Sequence, residues 1–597
     1  MIFRRAIIPL LIAISAIPLV SCGQKLRPVL FQTRGASQAL FGLSREAAEG
    51  TLNFSRPVKL EYCFSAPPTV FSPAAFEIAY SLNTAADTGT GGLKPVLEIE
   101  GNIWALPLPS AFPGEGGTDG ANTGTIFHYA IPISGAFPGR FSIMLAAGES
   151  GTEKKTAGKD VLPLLRIHSV EIKERWFGFY HRLEDGNNHR YASPFVFKRD
   201  DSWVIDLSAV QAVVPSGIPA RDGLLPRLTA ELLPKRESAS VAAVLDTGNR
   251  RFEALPYMER FNIPAGMTPN EGQLTLSGNH AISFYLDYGA IPPFPEPVAT
   301  DPGMVLAWPA EHWRDRRYEV FRWDRFPSLL ILDTANYAIQ DRLLKRLAFF
   351  VEKAGFRGRL APDSEIAGLH GWNAHDYRSG DLAHFFQTAR ETQFPLLAEE
   401  RELEKILLNA GIIRESGGRI QAGEGGIISI SRESPDYLRF RFMAHEGFHG
   451  LFFIDEDFRT FSRYRWQQLP AEAKRFIVSF FDYQRYDTAD EYLLINEFMA
   501  HVLQQPVSQA GRYFGETLPS RIETISWRQA DLPEKDQRSG TWPALALAFT
   551  REAQAFSEYA GSRWGLAAGR VSLVTVRETG LPQSPGLLRS PGLFQSP

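Results

Sequence analysis

The stretch Ser434-Pro435-Asp436-Tyr437-Leu438-Arg439-Phe440-Arg441-Phe442-Met443-Ala444-His445-Glu446-Gly447-Phe448-His449 decides how the second half of this chain is read. Ser434, Pro435 and Asp436 form a helix start signal: a hydroxyl N-cap, proline at the first helical position and an acid in the first turn. Apolar character continues through Leu451-Phe452-Phe453-Ile454, so one helix should carry the whole run. His445 and His449 then stand four apart on one face. Two imidazoles so placed can hold one zinc ion, with Glu446 beside them as general base for zinc-activated water. The alternative is a chance match on a buried helix. Just upstream, Gly425-Gly426-Ile427-Ile428-Ser429-Ile430-Ser431 predicts a short strand.

Two histidines and a water leave a zinc ion one protein ligand short. The preferred third ligand is Glu497. Thr488 followed by Glu491 fits a capping box, which predicts a helix from about Thr488 to a point before Pro506. Leu493, Leu494, Glu497, Ala500 and His501 fall on one face of it. A lone carboxylate among core-facing residues is costly to bury, and a cation would relieve the cost. Asp455, six residues after His449, is the rival. On an uninterrupted helix a six-residue step turns by roughly 240° net, away from the zinc face.

An H-E-x-x-H motif followed by an Asn496-Glu497 pair on a second helix resembles the gluzincin group of zinc metallopeptidases, the thermolysin-like superfamily. The resemblance spans the strand at Ile427 and the two helices, and names no specific family. It implies His445, His449 and Glu497 as ligands, Glu446 as base and Zn²⁺ as cofactor. Thermolysin-like sequences place an Asp four residues after the ligand Glu, where it supports a zinc-binding histidine. Here that position is His501, which cannot supply the same negative charge. The metzincin-like spacing that would favour Asp455 requires a glycine three residues after the second His, and that position is Phe452.

The rest of the chain frames this block. Residues 1–21 read as a bacterial lipoprotein signal peptide: Arg4-Arg5, an apolar core from Ala6 to Pro18, then Leu19-Val20-Ser21-Cys22, which resembles a lipobox. Cys22 is the expected lipidation site and would anchor the protein to the cell envelope, at the outer membrane or cell surface. The only other cysteine, Cys63, lies in a strand-like alternation. Residues 22–150 and 160–300 alternate in short apolar runs broken by Gly and Pro, which predicts two all-β, sandwich-like domains. A polar linker at residues 148–156 separates them, and Leu274–Ser277 with Ile282–Leu286 looks like a closing hairpin. Trp176, Phe177, Phe179 and Tyr180 read as core, or as a weak platform for a glycan. From 325 to 565 the chain becomes helix-rich, an α+β, zincin-like catalytic domain. The tail 578–597 repeats Ser-Pro-Gly-Leu and reads as disordered.

A formal net charge of −4 gives no sign of nucleic-acid binding. The expected activity is a surface-anchored zinc metallopeptidase acting on a peptide or protein, with the edge of the strand at Ile427 offered to an extended substrate. His501, Tyr483, Tyr486 and His375 are candidate oxyanion donors, and His370 to Arg378 a candidate cleft loop. The alternatives are zinc-assisted hydrolysis of a non-peptide amide, and a binding lipoprotein whose β domains hold a polysaccharide or protein partner beside a structural or inactive zinc site.

Overall fold

A computed structural model describes residues 281–523 and 534–578 without a break, and before them the strands and short segments lying between residues 29 and 277. The stretches read as signal peptide, lipidation site, linker at 148–156 and tail beyond Glu578 lie outside the described residues. The protein mixes helices with several sheets. Among the described residues no helix is long and apolar enough to cross a membrane.

Contacts divide the chain into two units, residues 1–196 with 209–219, and residues 197–208 with 220–597. The first holds two sheets. One orders its strands Val29–Arg34, Val58–Cys63, Arg140–Ala147, Leu93–Ile99 and Asn102–Ala105. The other orders His189–Ala192, Ile126–Ala136, Thr69–Asn83, Leu164–Glu174, Gly50–Asn53 and Leu40–Phe41. Phe76, Ile78, Tyr80, Phe127, Tyr129 and Ile131 are buried there. The division differs from the sequence boundary near residues 150–160. Leu164–Glu174 pairs antiparallel along Thr69–Asn83, so it belongs with the strands before the polar linker. Pairing of that kind is non-local and leaves no mark in composition.

In the second unit the expected hairpin does not form. Gln273–Ser277 pairs with Ser202–Asp206 and with Ala243–Asp246, whereas Ala281–Ala290 pairs with Leu224–Leu232 in a different sheet. Both segments alternate as strands should, but the chain changes sheets between them. The last described strand, Val574–Glu578, returns to pair with Arg250–Ala254. Asp301 fixes that return: its carboxylate accepts backbone N–H bonds from Gly303, Leu573 and Val574 at 2.8, 3.0 and 3.3 Å. The later part of the second β block, from residue 220 onward, therefore shares one unit with the helix-rich block.

The helix-rich block is built on Leu329–Thr334, whose six residues are all buried. The sheet order is Val298–Thr300, Tyr318–Trp323, Leu329–Thr334, Gly426–Ser431, His375–Arg378. Leu329–Thr334 runs parallel to Gly426–Ser431, and His375–Arg378 lies antiparallel at the edge. Gly426–Ser431 is thus paired on both sides. The edge left for a substrate belongs to His375–Arg378, a correction to the expectation for the Ile427 strand.

Strand alternation assigns the two faces of this sheet. Leu330, Leu332, Ile427 and Tyr377 pack into a core with Leu343 and Leu347 of the helix Tyr337–Val351, Leu382 of Ser379–Glu391 and Leu403 of Ala398–Ala410. The intervening residues face the helix Asp436–Ile454, which carries the two motif histidines. Two glycines let this motif helix sit close. A Cβ on Gly450 would lie 2.9 Å from Leu329 Cδ1, and one on Gly447 2.9 Å from Val571 Cγ2. Asp333, fully buried on the same strand, takes both guanidinium nitrogens of Arg439 at 2.8 and 2.9 Å and Arg432 Nε at 2.9 Å. That fork fixes the register of the helix against the sheet.

Candidate metal centre

The motif helix begins at Asp436 with Pro435 at the cap, one residue later than the start signal suggests. The helix carrying Glu497 spans Glu491–Leu503. It begins where Asp490, not Thr488, accepts the backbone N–H groups of Tyr492 and Leu493. Both small shifts leave the phase of the functional side chains unchanged.

From these two helices three ligand atoms converge. His445 Nε2 and His449 Nε2 are 3.1 Å apart, and each lies 3.7 Å from an oxygen of Glu497. A tetrahedral zinc with bonds of about 2.0–2.2 Å needs neighbouring ligands on the order of 3.3–3.5 Å apart. The observed edges bracket that length. His449 is completely buried and Glu497 is 2 % exposed. His445 Nδ1, His449 Nδ1, Glu446 Oε2 and Glu497 Oε2 are buried without a hydrogen-bond partner. Burial lowers His445 to about 3 and His449 to about 4, so both imidazoles are neutral and can act as ligands at pH 7. Two nitrogens, a carboxylate and several orphaned atoms fit a divalent cation of the zinc type.

Asp376 joins the site from the edge strand. Because Tyr377 faces the helical core, Asp376 faces the motif helix. Its Oδ2 lies 3.6 Å from His449 Nδ1 and 3.5 Å from the Asn496 amide nitrogen. Asp376, Glu446 and His449 form a second set of possible ligand atoms. Burial, together with Asp376, Glu497 and Glu352, raises Glu446 well above the ordinary carboxylate range. Burial and Glu497 likewise raise Glu352 to about 8. So many carboxylates in one buried space favour a cation among them. Lys353 partly serves: burial lowers it to about 8, and its Nζ lies 3.0 Å from the Trp372 ring centroid.

His501 stands one helical turn from Glu497, its Nε2 3.8 Å from Glu497 Oε2. Its Nδ1 accepts from the Gln504 amide at 3.1 Å and the Tyr513 hydroxyl at 3.4 Å. Those donors put the ring proton on Nε2, on the side facing the site. The other candidate donors are placed differently. His375 Nδ1 bonds the Tyr377 hydroxyl at 2.8 Å. Tyr483 is exposed. Tyr486 lines a cavity beside the site and stacks on Trp372. Asp455 is remote in role: it caps the helix Glu456–Gln468 through the Phe458 N–H at 2.8 Å and pairs with Arg563 at 2.7 Å.

A cavity of about 260 Å³ opens beside this set, lined by His445, Glu446, Asp376, Trp372, Tyr486 and His501 among others. Of the His370–Arg378 segment, Trp372, Asn373, Ala374 and Asp376 line it. Sequence reading placed Asp376 only within a candidate cleft loop, with no role beside the metal, and did not single out Glu352, Gln504 or Tyr513. For Asp376 the signal was the alternation of a four-residue strand, too short to recognise before its partner strand is known.

No protein-family model and no curated protein matches this chain. Among solved structures it is similar to one titled "Structure of allantoicase", at 10 % identity over 45 % of this chain and 90 % of that one, with a TM-score of 0.15. A likeness that slight carries no argument.

Proposed function

We propose that this protein is a zinc-dependent hydrolase, a metallopeptidase in which His445, His449 and Glu497 hold the metal and Glu446 is the general base. The observation that carries this reading is the convergence of three ligand atoms from two helices, with His445 and Glu446 lining an open cavity. A purely structural zinc site closes its fourth position and has no use for a base there. The lipid anchor at Cys22 and the envelope location belong to the same proposal.

A zinc ion bound here supplies Lewis acidity toward a substrate carbonyl and a more acidic water. Burial and the neighbouring acids raise the Glu446 carboxyl; beside a bound cation its ionised form would be favoured, and that form would then take the proton of the attacking water. His501 offers Nε2–H to the negative charge that develops on the carbonyl oxygen. Asp376 lies against the outer nitrogen of His449 and so orients a ligand ring, the role left open by His501 standing after Glu497. An extended peptide can pair with the edge strand His375–Arg378, which carries Asp376 to the site.

The test is a peptide-library digest by the native protein and by Glu446→Gln. The variant should retain near-full zinc while hydrolysis falls by roughly three or more orders of magnitude. Near-normal turnover in the variant, with contamination excluded, contradicts the mechanism.

A further inference from the structure

The charges lining the cavity fall into two groups. On one side Glu352, Asp376 and Glu446 form an acidic group that interacts within itself and with Glu497 behind it. Arg441 and Arg521 lie on the other, and both act on His501 and Tyr513. Arg441 is four residues before His445, so it projects from the same helical face one turn away, with Cβ atoms about 5–6 Å apart. Its guanidinium rests 5.6 Å from the Tyr513 ring centroid. No carboxylate among the described residues pairs with it, although the opposite side of the same cavity is crowded with them. A half-buried arginine beside a reaction centre without an internal partner is suited to an anion that arrives with the substrate.

We infer that Arg441, supported by Arg521, binds a carboxylate of the substrate, and that the enzyme selects peptides bearing one close to the scissile bond. This rests on the hydrolase reading given above. The order of groups from the triad outward is His501, Tyr513, Arg441, each touching the next. At about 3.3–3.6 Å per extended residue, a carboxylate held by Arg441 lies on the order of one or two residues from the bond over Glu446. Two sources supply that chemistry: a free C-terminal carboxylate, which makes the enzyme trim chain ends, or an Asp or Glu side chain beside the cleavage point.

The test uses binding to the full chain carrying Glu446→Gln, so that nothing is cleaved. Calorimetric titration compares acetyl-Ala-Phe-Ala with a free carboxylate, its C-terminal amide, and acetyl-Ala-Phe-Asp-amide, each with the metal-free and the zinc-loaded protein. At least one carboxylate-bearing peptide should bind ten-fold or more tightly than the neutral amide, and which of the two does so identifies the source. Arg441→Gln should bring that ratio within twofold of unity, while Arg441→Lys should retain part of it. Equal binding of the three peptides, or no binding by any, overturns the inference. So does a preference that survives Arg441→Gln, which would put the carboxylate on the metal instead. Failure of the hydrolase reading is read separately, from the native protein's digest, and leaves this ratio standing or falling alone.

Discussion

The motif helix carries one buried polar cluster at its first turn and another at its middle, and the two are built on opposite principles. Near the N-terminal end Asp333 meets Arg439 and Arg432 at 2.8–2.9 Å, and the second arginine also donates to the Trp308 carbonyl. Charge and hydrogen bonds close within the protein. Two turns on, His445, His449, Glu446 and Glu497 are equally buried, yet each keeps a ring nitrogen or carboxylate oxygen without a partner. Burial is therefore not what marks a site. The mark is a set of buried groups that the chain itself leaves incomplete. Arg441 repeats the lesson at the cavity wall, half-buried and paired with no acid among the described residues.

The sharpest way to break the comparison is Asp333→Ala, which strands two guanidinium groups in the core. Unpairing a buried ion pair costs about 3–5 kcal/mol, so chemical denaturation should show a loss of that size, whether or not zinc is present. Closure at this cluster would be illusory if the variant unfolded at the native midpoint.

His501→Ala probes the open cluster without removing a ligand. Losing one donor to a developing oxyanion lowers kcat by about 10²–10³, and metal content should change much less than turnover. A variant that loses zinc in proportion to activity would make His501 a ligand instead.

How much of this was legible beforehand follows the range of the interactions. The motif helix, the strands at Leu329 and Gly426 and the helix ended by Gly411 follow from local signals: caps, periodicity and a left-handed glycine. The meeting of Glu497 with His445 and His449 also came within reach, because a lone acid on an apolar helical face is a local anomaly. Asp376 did not. Its contribution depends on a four-residue strand pairing with a segment 50 residues later, and on the alternation that turns Tyr377 to the other face. The hairpin expected of Leu274–Ser277 and Ile282–Leu286 failed for the same reason: both are strands, but each pairs elsewhere. Local chemistry writes the element, while partner choice is written in residues far away along the chain.

Asp455→Ala is the smallest expected effect and sharpens the contrast from the other side. It removes an N-cap and a half-exposed pair with Arg563, worth about 1 kcal/mol together. Zinc content should stay at the native value. An emptied site would mean that the motif helix ends differently from the break at Ile454 and that Glu497 is not the third ligand.

The central claim, that His445, His449 and Glu497 are completed by a metal, is tested most directly by zinc-to-protein ratios on the native chain and Glu497→Ala, purified in parallel and dialysed against the same free zinc. The account predicts one zinc per native chain and a small fraction of that in the variant, because two imidazoles and water hold zinc poorly. A native chain that retains no metal, or a variant that retains a full equivalent, would contradict it.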